Sequence, residues 1–349
     1  MKKKLPIILI LIYIFFCGYL FVSTRFLKNI TGATPQDQIS LKQKKQIKKM
    51  LNSFGFKGNA TFYKDGKRIW NYTTEGNINS AYLINSVQKA YTGAMVMQAV
   101  NEGKLNLGDK VAKFYPNVPN ADNISILNLL EMTSGLSEEG PFGNNPFKND
   151  DDNAQKTIQD MHFDDQSFNK WNYQDVNYVL LSHILEKATG RSYEDLFNEM
   201  YVYKLGLKHT DFLWADAQKI KEIGLIPSST QVDMNEIHGL LGAGSVAMSN
   251  DDMFLSMSAL LNGNILPMQS IQTIYGLGNN QAQYRGGLYT KDGYYQANGA
   301  GYNYSSFIRI SKDGKSAVIL QTNVNQYQGC NDNATAIYNM LFNQKNKEN

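Results

Sequence analysis

The chain has 349 residues, 42% hydrophobic and 12% aromatic, with a formal net charge of +3. That is enough for one large or two small domains; with only Cys17 and Cys330 no internal disulfide is expected, and no cysteine or histidine cluster suggests a metal or any other cofactor. Residues 1–49 hold ten Lys or Arg and one Asp, so the rest of the chain balances to about −6, an acidic body that argues against a nucleic-acid partner.

At the amino terminus a basic flank, residues 1–4 with Lys2 to Lys4, precedes an apolar run from Leu5 to Val22. The run is near bilayer length, and its flank predicts a span over 5–23 with the amino end in the cytoplasm. A cleaved signal peptide is the alternative, but no small-x-small site follows, and Phe16 before Cys17 does not suit a lipoprotein. An uncleaved single-pass anchor, with the remaining chain outside the cell, is the expectation. Residues 24–40, with Gly32, Pro35 and several amides, read as a tether. A folded domain is then placed over 41–343, with a tail at 344–349. Its first helix carries Lys42, Lys44, Lys45, Lys48 and Lys49, either a solvated face or a contact for anionic lipid heads or a phosphate polymer.

Lys64-Asp65-Gly66 between two strand-like runs predicts a hairpin. Ser86-Val87-Gln88-Lys89 then opens an apolar helix that stops near Gly103. The spacing puts Ser86 Oγ and Lys89 Nζ on one helical face. If that face is partly desolvated, the lysine can lose its proton and serve as base for the serine. Ser167-Phe168-Asn169-Lys170 repeats the spacing, but polar residues surround it and no apolar helix follows. The stretch Ser137 to Gln166, with Asn144, Asn145 and Asp150 to Asp152, is a long loop that could line an entrance. His162, His183, His209 and His238 show no catalytic setting. Four strand-like runs between Gly287 and Leu320, with turns at Lys291-Asp292-Gly293 and Lys312-Asp313-Gly314, precede a closing helix over 334–342. Strands at both ends with helices between predict an α+β fold, one antiparallel sheet built from both termini with a helical lobe inserted.

Six segments in order carry a resemblance: NEGKLNLGDKVAKFYPNVP (101–119), ISILNLLEMTSGL (124–136), NYQDVNYVLLSHILEKATGRSY (172–193), LGLKHTDF (205–212), GLLGAGSVAMSNDDM (239–253) and QANGAGYNYSSFIRI (296–310). With Ser86-x-x-Lys89 they resemble the serine β-lactamase and penicillin-binding-protein superfamily, in its class C-like esterase branch. The resemblance implies the β-lactamase-like fold, Ser86 as nucleophile, and Lys89 and Tyr173 as proton carriers. Tyr173-Gln174-Asp175 stands where the superfamily has Tyr-x-Asn. Ala297-Asn298-Gly299, then Ala300, stands where it has Lys-Thr-Gly or His-x-Gly. Asp175, Asn298, Gly299 and Ala300 are thus the expected substrate-binding positions, Gly299 because it allows close approach to a ligand. The N–H groups of Ser86 and Ala300 are the expected oxyanion hole. Asp175 could hold Lys89 or another cation and would repel an anionic substrate; with loss of the third-motif cation, this favours a cationic ester over a substrate with a free carboxylate.

Tyr-x-Asp further resembles the teichoic-acid D-alanyl esterases related to methicillin-resistance factors of Gram-positive bacteria. The expected activity is therefore removal of D-alanine from teichoic acid through a Ser86 acyl-enzyme, with that polymer and the membrane as partners. A D-alanyl-D-alanine carboxypeptidase or low-activity penicillin-binding protein is the alternative, with Arg285 as the replacement cation. A non-catalytic wall-polymer binding or sensing protein is the third.

Overall fold

The computed structural model describes residues 39–138, 150–276, 278 and 280–342. The expected membrane span, Cys17, most of the tether, Asn144, Asn145 and the tail lie outside the described residues. Among the described residues no helix is long and apolar enough to cross a membrane.

Helix α1 (Leu41–Asn52) starts at a capping box in which Ser40 and Gln43 satisfy each other's backbone N–H. Its lysines ride outside; Ile47 and Leu51 are buried. Strands β1 (Gly58–Lys64) and β2 (Lys67–Thr73) follow. Asp65 and Gly66 both take positive φ, 53° and 75°, the two-residue turn expected from Asp-Gly. After β3 (Ala81–Leu83) come the 3-10 turn Asn85–Val87 and α2 (Gln88–Asn101). Eleven of the fourteen α2 residues are buried, so this is a core helix rather than an amphipathic one.

The inserted lobe runs through α3 (Ile126–Leu130), β4 (Leu136–Glu138), α4 (Asp150–Gln159), β5 (Met161–Phe163), α5 (Val176–Thr189), α6 (Tyr193–Phe197), β6 (Thr210–Phe212), α7 (Ala217–Glu222), α8 (Met234–Gly239), β7 (Val246–Ser249), α9 (Asn250–Leu261) and α10 (Met268–Tyr275). The chain then returns to the sheet as β8 (Tyr284–Arg285), β9 (Leu288–Thr290), β10 (Tyr294–Gly301), β11 (Tyr304–Ser311) and β12 (Ala317–Thr322), and closes with α11 (Tyr327–Phe342). The closing helix begins earlier than its apolar pattern suggests, because the polar Tyr327–Asn331 turn is carried by the buried Cys330.

The seven-stranded sheet has the order β2-β1-β12-β11-β10-β9-β8. Strand β1 pairs antiparallel with β12, so the two ends of the domain share one sheet as expected. The small sheets β3-β7-β6 and β4-β5 were not foreseen; three-residue strands carry too little pattern to read.

The β8–β9 turn lies directly on the head of α2. Gly287 has φ 93°, and a Cβ there would sit 2.2 Å from the Ala90 nitrogen and the Lys89 carbonyl carbon. Only hydrogen fits, and the chain direction forbids a side chain as well. Gly287→Ala should therefore lower stability by about 2–4 kcal/mol from strain and overpacking together, seen as a depressed thermal midpoint in calorimetry. A variant that melts with the parent would mean that the turn does not bear on α2.

Candidate active site

Ser86 sits in the turn between β3 and α2, immediately after Asn85, which has φ 48°. Asn tolerates the left-handed region better than other side chains. Its Nδ2 donates to Leu83 O at 3.4 Å and to Gly301 O at 3.5 Å, which hold this bend. Gly299 packs on the same bend: a Cβ there would lie 2.0 Å from Ile84 O and 3.0 Å from Ser86 N. Gly299 thus makes a close approach to the nucleophile's own backbone. It brings strand β10 beside Ser86.

Lys89 follows one turn later and is fully buried. Its Nζ donates to Ser86 Oγ at 2.8 Å and to Ala243 O at 2.9 Å, and lies 2.7 Å from Asp175 Oδ1. The Ala243 segment is fixed by Gln88, whose Oε1 accepts from Ser245 N at 2.5 Å and Val246 N at 3.0 Å. Burial pulls the Lys89 pKa down, but the Asp175 carboxylate and the Tyr173 phenol outweigh it, and the net shift is upward from 10.5. This corrects the expectation from sequence: desolvation alone does not free the lysine of its proton, because Asp175 supplies a counter-charge.

The Tyr173 ring lies beside Lys89, with Nζ 5.3 Å from its centroid, and burial raises the phenol's pKa above 10.0, so it stays a phenol at rest. Its ring is fixed edge-on against Tyr284, 6.0 Å between centroids. Asp175 stands just ahead of α5. Its side chain is 37% exposed although Oδ1 is buried, so the remaining carboxylate surface faces the cavity.

Ser86, Tyr173, Asp175, Asn298 and Ala300 line one cavity of about 350 Å³, with Tyr284, Tyr289 and Tyr327 as its aromatic walls. Six of the seven expected site residues, counting Lys89 beneath Ser86, therefore meet, and Gly299 supports them from behind. The strand's alternation decides the third motif. Asn298 and Ala300 face the cavity, whereas Ala297, 1% exposed, is turned into the core. Arg285 does not reach the cavity. It is held by Glu131, with Nε to Oε1 at 2.6 Å, and by Thr273 O at 3.1 Å, so it is no replacement cation.

Sequence reasoning missed the three tyrosine walls, two from the paired strands β8 and β9 and one from α11, all far in the chain from Ser86. It also missed Glu138, whose carboxyl is pushed up to about 8 by burial and then by the Asp175 charge, partly offset by Lys89. No local pattern marks either. None of the four histidines lines the cavity; His183 is bound to Glu186 and His238 is stacked on Trp214. Ser167 is occupied with Asp164 on the surface. A second hollow, about 410 Å³, lies beside the far end of α2 and contains no serine–lysine pair.

The Beta-lactamase family profile matches residues 57–338. The putative penicillin-binding protein PbpX of Bacillus subtilis is 26% identical, over 90% of this chain and 83% of its own. The teichoic acid D-alanine hydrolase of Staphylococcus aureus is 28% identical, over 80% of this chain and 73% of its own. In fold, the crystal structure of FmtA from Staphylococcus aureus superposes with a TM-score of 0.75 at 23% identity, covering 93% of this chain and 94% of that one. The D-amino acid amidase of Ochrobactrum anthropi SV3 superposes with a TM-score of 0.72 at 16% identity, covering 86% and 99%. With the profile spanning most of its length, this chain belongs to the beta-lactamase family of serine hydrolases.

Proposed function

We propose that this protein is a membrane-anchored, extracellular esterase that removes D-alanyl esters from teichoic acid. The observation that carries the reading is the Ser86–Lys89–Asp175 chain of contacts, 2.8 Å and 2.7 Å long, at the floor of a cavity that, among the described residues, is lined by no Lys or Arg side chain. Such a cavity offers no ammonium or guanidinium for direct ion pairing with a free substrate carboxylate, and it has an acidic edge for an ammonium. The 28% identical relative named as a teichoic acid D-alanine hydrolase supports the same substrate class. The basic flank and apolar run ahead of the domain support the anchor.

In this mechanism Ser86 Oγ attacks the ester carbonyl. Its proton passes to Lys89 as Lys89 gives one to Asp175 Oδ1. The oxyanion is met by the N–H groups of Ser86 and Ala300. On collapse, Tyr173 protonates the leaving alkoxide and is refilled from Lys89, which is refilled from Asp175. The serine proton has then left with the alcohol, and the three carriers are as they began. Water repeats the sequence on the acyl-enzyme and releases D-alanine.

Incubating the parent with D-alanylated teichoic acid should release D-alanine. Ser86→Ala should reduce this, and the hydrolysis of a simple activated ester, by at least about a thousandfold while the variant still folds. Equal turnover by parent and variant would move the nucleophile elsewhere.

The pH dependence follows from the lysine. Its folded pKa is raised, so the charged pair stabilises the fold at neutral pH, and that contribution is lost only as pH rises through the raised value, above 10.5. The parent carries its proton acceptor within the pair, so its kcat/KM should be flat around neutrality. In Asp175→Asn the burial effect wins, and Lys89 must lose its proton to solvent. That variant should be about a hundredfold slower at pH 7 and should climb with pH to a midpoint below 10.5. A variant profile parallel to the parent's would remove Asp175 from the proton path.

A further inference from the structure

Behind the cavity wall lies a charge that the mechanism does not use. Arg309 on β11 is fully buried. Its Nε donates to Thr335 Oγ1 at 2.9 Å, one terminal nitrogen to Asn298 Oδ1 at 2.7 Å, and the other to Asn331 Oδ1 at 2.9 Å and Asn331 O at 3.4 Å. Among the described residues it makes no ion pair; every partner is neutral. Burial lowers its pKa only to about 10, so it remains a cation at neutral pH. An uncompensated buried charge is costly to the fold, and this one stands a single side chain away from the cavity.

That side chain is Asn298. A guanidinium can only donate, so the contact with Arg309 fixes which end of the amide is oxygen. The Nδ2 end is thereby turned toward Asn331 Oδ1, at 3.2 Å, and the Tyr327 hydroxyl, at 3.4 Å. Asn298 and Tyr327 both line the cavity that holds Ser86. One of the two Asn298 N–H groups is held only by the long 3.4 Å contact with the Tyr327 hydroxyl, so the wall has a donor it can cede to a ligand, backed by a full positive charge, where Asp175 on another element offers a negative one.

We propose that Arg309, acting through Asn298, makes this wall an anion subsite that holds the phosphodiester of a polyol-phosphate chain beside the ester being cleaved. The proposal rests on the D-alanyl esterase reading and deepens it, since such a substrate carries an ammonium on the acyl side and a phosphate on the alcohol side. A charge set back by one side chain favours the anion without gripping it, which suits a polymer that must move on. Arg309 is a positioning residue; Asn298 is the group that touches substrate.

The test compares kcat/KM for three synthetic esters: D-alanyl glycerol, the D-alanyl ester of bis(glycerol) phosphate, and D-alanyl-D-lactate. The parent should prefer the phosphodiester over neutral glycerol by at least about tenfold, mainly through KM, the size of one modest charge interaction. Asn298→Asp is nearly isosteric. It gives Arg309 a counter-charge and removes the donor, so the preference should fall to parity or reverse while the melting temperature holds or rises. Arg309→Gln, where it folds, should lose the same preference. Variants that slow both glycerol esters alike would mark Arg309 as merely structural and overturn the subsite. Parity in the parent would overturn it too, leaving the esterase reading intact, as would a rate on D-alanyl-D-lactate equal to that on the phosphodiester. Cleavage of no D-alanyl ester at all would overturn both.

Discussion

The buried contact between Lys89 and Asp175 is the constraint around which the site is built. An ammonium with no exposure, at the head of a helix buried on nearly all sides, is tolerable only with a counter-charge and hydrogen-bond acceptors. Those come from three places: Ser86 one turn back, Ala243 on the approach to β7, and Asp175 at the head of α5. Removing one partner of such a pair typically costs about 3–5 kcal/mol. The same contacts that keep the charge soluble in the core therefore clamp nucleophile, lobe and loop into one geometry. The pair also sets the chemistry, because it keeps Lys89 protonated at rest and stores the place where that proton can go.

Around this clamp the fold works by close backbone approach. Gly287 lets the β8–β9 turn lie on the first turn of α2, and Gly299 lets β10 lie on the turn that carries Ser86. Both contacts leave no room for a methyl group. They join the sheet, made from the two ends of the domain, to a helix that the sequence reaches between them. The cavity is simply what remains between these surfaces, walled by Tyr284, Tyr289 and Tyr327.

The charges of the cavity are displaced from where the resemblance led one to expect a third-motif cation. Ala297 is turned inward by the strand's alternation, and Arg285 is committed to Glu131. The positive charge near the wall is Arg309, screened by Asn298, and the negative one is Asp175, shared with Lys89. An environment of this kind discriminates by potential more than by direct ion pairing.

Much of this was open to reading along the chain. The helix-period spacing of Ser86 and Lys89, the two-residue Asp65-Gly66 turn, the alternating strands near the carboxyl end and the apolar α2 are local patterns, and local patterns survive in one dimension. They carried the fold class and the Ser86–Lys89 pair, whereas Tyr173, Asp175, Asn298, Gly299 and Ala300 were expected only from the resemblance to the superfamily's motifs. What the tertiary structure alone decided is whatever depends on two distant segments touching. The proton state of Lys89 followed from Asp175 being 2.7 Å away rather than from burial. Asn298, not Ala297, faces the cavity because pleat parity is set by pairing with β11. Gly299 came to pack on the nucleophile's backbone. Arg309 gained its place behind Asn298 only when the last helix folded back over the sheet and Asn331 and Thr335 closed around it. Charge, parity and contact are properties of pairs of residues, and a sequence states only the members.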